Sequence, residues 1–292
     1  MTVWGLPQMK VFENKSQNDP RQLPNLDYNI MCGNSLIDEF EGVRLFDDSL
    51  LGKREYDASG AQYGFQIDLF SDTMSIYLDD LQREQERLFG EQNPDTKREI
   101  KRNIDGLIDN IIRAKLERDD NTDGLRKYEE VRKQKTKPYF LWKLEFAKVF
   151  RDNGGFDVVI GNPPYFVFQK EHTQDIDELK AQNYSAIIGS GKINAYRAFI
   201  AKSLYSLIKN NGIMCMIFQN SFLGDGSVGK LRKYIFDNHN ILRIDSFPER
   251  DNVAKRVFEN VKMSICILLL QFGTKTTDFE LNMYSDRYFS KS

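Results

Sequence analysis

From residue 156 onward, short runs of β-branched and aromatic residues alternate with stretches of helical period. Residues 157–160, Asp-Val-Val-Ile, lie between Gly154-Gly155 and Gly161 and predict a short strand, apolar and buried on both faces. Residues 195–208 repeat apolar side chains at helical spacing and run into Asn210-Asn211-Gly212, a helix stop. A buried strand over 213–218, a helix over 228–236 and a strand over 241–246 follow. Residues 263–271 read as a strand buried on both faces, and the alternating stretch 279–284 as an edge hairpin closing the sheet. Strands alternating with helices over 156–246 predict a doubly wound parallel sheet.

The chain before residue 140 is different. Residues 1–24 are polar and aperiodic, which predicts irregular backbone, and 28–32 read as a short strand ending in the turn Gly33-Asn34-Ser35. Residues 79–87 and 96–118 are crowded with charges of both signs, while Ile100, Ile104, Leu107, Ile108, Ile111 and Ile112 recur at helical spacing. Residues 90–94 break this pattern and 119–124 end it, predicting a helical hairpin inserted between strands of the sheet. Its alternating charges suit a solvated face. The cluster Lys127, Arg132, Lys133, Lys135 and Lys137 suits either phosphate contact or solvent. An amphipathic helix is expected to open near 137–142 and reach Phe150. The expected organisation is an N-terminal segment with the first strand (1–44), a charged helical insertion (45–150) and an α/β core (151–292).

Composition changes this picture only by exclusion. A chain of 292 residues is long enough for one domain plus an insertion. The formal net charge is −2 and the pI about 5.9, so binding to nucleic acid must come from a local basic face or from another segment. The three cysteines, Cys32, Cys215 and Cys266, are far apart with no Cys-x-x-Cys, which speaks for reduced core thiols rather than disulfides or zinc. The longest apolar run, 265–270, is too short to span a membrane, and the first residues do not read as a signal peptide. A soluble, cytoplasmic protein is the expectation.

The candidate chemistry sits after the strand at 157–160, at its carboxyl end, where open α/β sheets bind ligands. The residues are Asn162-Pro163-Pro164-Tyr165. Two prolines fix φ and remove backbone donors, leaving a stiff loop that presents the Asn162 side-chain oxygen and the Pro163 carbonyl as acceptors. Tyr165 adds an aromatic plane. Two acceptors and a ring suit a planar group carrying an –NH2, such as a nucleobase; a structural Pro-Pro turn is the plainer alternative. Ile188-Gly189-Ser190-Gly191-Lys192 is not a phosphate loop, since Ala186 stands where its first glycine belongs and Ile193 follows the lysine. Glu145 and Lys148 lie at a spacing that could serve a nuclease, but on an amphipathic helix they read more simply as surface.

The tetrapeptide resembles the signature of amino-methyltransferases that use S-adenosylmethionine: Asn, Asp or Ser, then Pro-Pro, then Tyr, Phe or Trp, after a sheet strand. With Leu26-Asp27-Tyr28-Asn29-Ile30-Met31-Cys32-Gly33-Asn34-Ser35-Leu36 upstream and Phe247-Pro248-Glu249-Arg250 downstream, the chain is similar to the methyltransferase part of type IIG restriction–modification enzymes. These are single chains that methylate adenine N6 and cleave DNA. The resemblance covers roughly residues 20–285 and is strongest at 24–37, 139–170 and 192–270.

This resemblance implies an α/β fold, a partial Rossmann-like S-adenosylmethionine-dependent methyltransferase sheet with a helical insertion. It implies catalytic roles for Asn162, Pro163, Pro164 and Tyr165, stacking of a flipped base between Tyr165 and Phe258, and cofactor contacts from Asn34, Ser35 and Asn162, with no metal. It also implies a mobile loop over 166–184 and double-stranded DNA as partner. The family's glycine-rich cofactor loop has no match in the first 30 residues, and no acidic residue for the cofactor ribose is identifiable. A further N-terminal segment and a target-recognition domain are therefore expected partners, and the chain alone is expected to bind cofactor weakly. Two other readings compete: methylation of the N5 of a glutamine amide in protein, and a non-catalytic assembly module. The charged insertion and Ser246-Phe247-Pro248-Glu249-Arg250-Asp251 favour the DNA enzyme.

Overall fold

The computed structural model describes residues 31, 33–37, 39–40, 43–46, 69–134, 137–169, 176–177, 179–180, 185–188 and 192–290. They fall into two compact units that divide between Lys148 and Val149.

In the first unit Glu39–Phe40 (β1) and Val43–Arg44 (β2) pair as a short antiparallel ribbon. Leu69–Gly90 (α1) and Pro94–Arg118 (α2) form the hairpin that the helical spacing predicts. Asn93 caps α2, its side chain accepting from the Asp95 and Thr96 amides, and Pro94 opens the first turn. Ile100, Ile104, Ile108, Ile111, Ile112 and Leu116 make one buried stripe; Met74, Leu78, Leu81 and Leu88 make the buried stripe of α1. Gln85 lies in that second stripe and spends its amide on the Leu144 and Glu145 carbonyls, at 2.9 and 3.0 Å. The run ends at Arg118 with Asp119 as its cap, as expected, but a further helix follows at once. Asp120 turns the chain with φ 51°, Asn121 caps a new helix, Thr122–Val131 (α3), and Tyr128 and Val131 bury its face. Lys127 pairs with Asp123 at 3.2 Å, and Arg132 with Asp109 at 3.2 Å, so this part of the basic cluster is neutralised locally. Lys135 lies outside the described residues.

The helix expected up to Phe150 is broken. Trp142–Glu145 (α4) is a single turn, Phe146 leaves helical dihedrals (φ −123°, ψ 42°), and Ala147–Asn153 (α5) resumes. Phe146 gains a stacked contact with Trp142, centroids 5.9 Å apart. Gly154 then takes a left-handed φ of 73° after α5, its amide bonded to the Phe150 carbonyl, a helix ending that favours glycine.

The second unit is a five-stranded sheet in the order β3-β4-β6-β5-β7. The strands are Phe156–Gly161 (β3), Ile208–Gln219 (β4), His239–Phe247 (β5), Ile265–Phe272 (β6) and Glu280–Met283 (β7). Pairs β3/β4 and β5/β7 are parallel, while β6 runs antiparallel to both β4 and β5. The strands β3, β4 and β5 are thus mutually parallel, as the alternation predicts, but β6 makes the sheet mixed. The expected edge hairpin does not form: β7 pairs with β5, because both edges of β6 are already taken. The connection wraps the start of β5, Thr276 donating to the His239 carbonyl and accepting from the Ile241 amide.

Helices Ala195–Lys202 and Gly229–Asn238 pack on β4 and β5 and cover Val159, Met214, Met216, Phe218, Leu268 and Leu270 on one face. The other face is more open, which corrects the expectation of strands buried on both sides. Val158 is 52% exposed and Ile160 73%, because β3 is an edge strand among the described residues. Gly155 is required where β3 begins: a Cβ there would meet the Leu207 carbonyl oxygen at 2.7 Å. The helix from Ala195 loosens into a π turn over Ser203–Leu207, where Ser203 and Ser206 bond back to the Phe199 and Lys202 carbonyls. Asn211, at φ 61°, then lies in an irregularity early in β4 instead of ending a helix. Among the described residues no helix is long and apolar enough to cross a membrane.

Candidate functional site

Where β3 ends, the two prolines forbid further ladder pairing and the chain turns out at the carboxyl edge of the sheet. Pro163 is buried and anchors the turn; Asn162 and Pro164 are exposed and Tyr165 is half-buried. The Tyr165 hydroxyl donates to Asn162 Oδ1 at 2.7 Å. Burial pushes the Tyr165 phenol up to about 12, with a smaller push from Cys266. After the motif, Phe166 and Phe168 pair with Ala195 and Ile193 through backbone hydrogen bonds, and residues 170–175 lie outside the described residues.

Phe258 lies beside Tyr165, ring centroids 5.9 Å apart and planes at 46°. Both rings rest on a cluster formed by Phe247, Ile265 and Tyr284, with Ile217, Val257, Met263 and Ile267 around it. The segment carrying Phe258, residues 248–264, is held by its own polar groups. Ser264 Oγ donates to the Pro248 carbonyl at 2.8 Å, closing its base, and the Asn220 amide bonds to the Ser264 carbonyl. Glu249 accepts from the Asp251 and Asn252 amides. Arg287 grips both sides of Phe258, through its amide to the Lys255 carbonyl at 2.7 Å and its guanidinium to Glu259 at 2.9 Å.

Asn34 and Ser35 belong to the first unit. Asn34 Oδ1 accepts from the Leu36 amide at 3.3 Å, and the buried Ser35 gives its carbonyl to the Trp142 indole at 2.9 Å. Gly33 allows this approach, since a Cβ there would lie 3.0 Å from the Tyr139 carbonyl oxygen. The expected strand over 28–32 lies outside the described residues apart from Met31, which is not in a strand.

The structure therefore brings Asn162, Tyr165 and Phe258 together. Ser264 and Arg287, which hold the Phe258 segment, are not marked by any sequence pattern; a lone serine before a strand and an arginine in an irregular tail carry no spacing signal. Glu145 is not the surface residue its helical position suggests. It is half-buried, and burial pushes its carboxyl up to about 7, while Lys148 is exposed and pairs with Glu86 at 2.8 Å. Cys215 and Cys266 are free, and burial raises both thiols. Cys32 lies outside the described residues. No group of His, Cys, Asp and Glu among the described residues has metal-holding geometry.

A model of the family described as Eco57I restriction-modification methylase matches residues 43–253. The Escherichia coli type II restriction enzyme and methyltransferase RM.Eco57I is 27% identical over 141 residues, 48% of this chain and 13% of the relative. RM.MjaORFECS2P of Methanocaldococcus jannaschii, inferred to be a type II restriction enzyme and methyltransferase, is 24% identical over 296 residues, 85% of this chain and 22% of the relative. The chain thus spans less than a quarter of the length of either relative. Among solved structures, the type IIG restriction endonuclease BpuSI matches with TM-score 0.34 and 18% identity, over 44% of this chain and 15% of that one.

Proposed function

Because the chain belongs to the Eco57I restriction-modification methylase family, whose cofactor is S-adenosylmethionine, we propose that it carries the methyl-transfer site of a type II restriction–modification enzyme acting on adenine N6 in double-stranded DNA. The observation that carries this reading is the juxtaposition of Asn162, Tyr165 and Phe258 at the carboxyl edge of β3, with the exposed Asn162 beside two aromatic planes.

Adenine N6 is reached only when the base leaves the helix stack. Tyr165 and Phe258 hold it by stacking, worth about 1–3 kcal/mol per base. A base between two rings needs about 7 Å, twice the ~3.4 Å spacing of stacked bases. The rings, 5.9 Å apart, therefore part before it enters. Asn162 Oδ1 and the Pro163 carbonyl take the two N6 hydrogens, which draws the lone pair out of conjugation and stabilises the positive charge that develops on nitrogen. Proline at 163 and 164 serves this chemistry by removing the donors that would repel an amino group. S-adenosylmethionine, when bound, supplies the sulfonium methyl; in the second unit, Asn162 is the group assigned to face it.

The open edge and face of β3 support a further polypeptide segment as partner: a parallel strand with Ile160 73% exposed is incompletely covered. A target-recognition domain, needed to choose the DNA sequence, is the second proposed partner. The test is transfer of labelled methyl from S-adenosylmethionine to duplex DNA or to glutamine-containing peptide. Label in DNA, lost in Asn162→Ala, is expected; label in the peptide alone contradicts the reading.

A further inference from the structure

We propose that the Tyr165 hydroxyl is a positioning group for the Asn162 amide, a role separate from the stacking of its ring; this deepens the reading above and rests on it. A carboxamide has two ends of nearly equal shape and opposite polarity. Turned the wrong way, Asn162 would offer N–H donors to an amino group and repel it. Asn162 is exposed, so packing does not choose the orientation. Among the described residues, the bond from Tyr165 is the one hydrogen bond its side chain makes. At 2.7 Å it has the usual length for a hydroxyl donor.

A phenol donates well and accepts poorly, so that bond favours the oxygen end, and it takes one of the two lone pairs, leaving the other for N6–H. Pro163-Pro164 narrow the range of separations between donor and acceptor, because both intervening φ angles are locked. Burial keeps the phenol protonated across the physiological range, so the donor is always present. Opening the base slot leaves this bond intact if Phe258 does the moving: Phe258 rides on the segment 248–264, whereas Tyr165 is tied to the proline turn.

Tyr165→Phe separates the two roles, since it keeps the ring and removes the donor. Wild type and variant are compared in two ways. In selectively 15N-labelled chain, the Asn162 side-chain amide signal (assigned by its loss in Asn162→Asp) is expected to move in the variant, and its two N–H protons to exchange faster. In methyl transfer to duplex DNA, kcat is expected to fall about tenfold, the size of one lost hydrogen bond. KM for DNA, and fluorescence of 2-aminopurine at the target position, are expected to change by less than about twofold because stacking survives. An unmoved amide signal, or an unchanged kcat, overturns the proposal. Absence of any transfer to DNA by wild type supplied with a completing cofactor-loop segment counts against the function above instead, and the amide signal then still decides whether the hydroxyl holds Asn162.

Discussion

Asn162 is exposed and contributes acceptors rather than packing, so its loss separates chemistry from stability. Asn162→Ala is expected to lower methyl transfer by about 10²–10³, the range for one preorganised polar group, with circular dichroism and melting temperature unchanged. Glu145 is the opposite case. Its carboxyl is raised from 4.5 to about 7 by burial, so the folded chain keeps a proton that the unfolded chain has already released. Stability from this group is complete below pH 4.5 and is lost as pH rises through about 7. Glu145→Gln should therefore melt with wild type at pH 4.5 and about 2–4 °C above it at pH 8, allowing for partial solvent screening. Equal melting at both values would show that Glu145 ionises freely in the fold. The Asn-Pro-Pro-Tyr turn was legible because proline restricts the backbone wherever it occurs. Glu145 was not, because its burial comes from residues distant in sequence, Gln85 and Tyr139 among its neighbours.

Helices α1 and α2 follow from the spacing of their isoleucines and leucines, and the start of α2 from Asn93-Pro94. Asn93→Ala removes the cap and is expected to cost about 1 kcal/mol, read from denaturant unfolding. The strands were harder. An apolar run reports that a strand is buried somewhere, but neither its direction nor its neighbours. Hence the antiparallel course of β6, and the pairing of β7 with β5, appear only in the structure. The same limit explains β3, where Val158-Val159-Ile160 reads as doubly buried and only Val159 is. Replacing Ile160 with Lys is expected to leave the melting temperature of this chain nearly unchanged, since the side chain is 73% exposed, while weakening assembly with a completing segment. A large fall in melting temperature would mean that this face is already covered.

The molecule has two compact units, and the residues assigned to the base, Asn162, Tyr165 and Phe258, all lie in the second. Asn34 and Ser35 lie in the first, within a turn held by one local bond and by the Trp142 indole. With the chain covering 13% and 22% of the two relatives compared above, cofactor affinity and DNA choice are proposed to lie in part in other segments. Calorimetric binding of S-adenosylmethionine should accordingly be weak for this chain alone and strengthen when a separate segment carrying a glycine-rich cofactor loop is added. The most direct measurement joins that mixture to duplex DNA and identifies the modified nucleoside by mass spectrometry. N6-methyldeoxyadenosine, formed by wild type and not by Asn162→Ala, is the expected product. A methyl group on cytosine, or S-adenosylmethionine bound with no modified nucleoside, would contradict the assignment of Asn162, Tyr165 and Phe258 to adenine methylation.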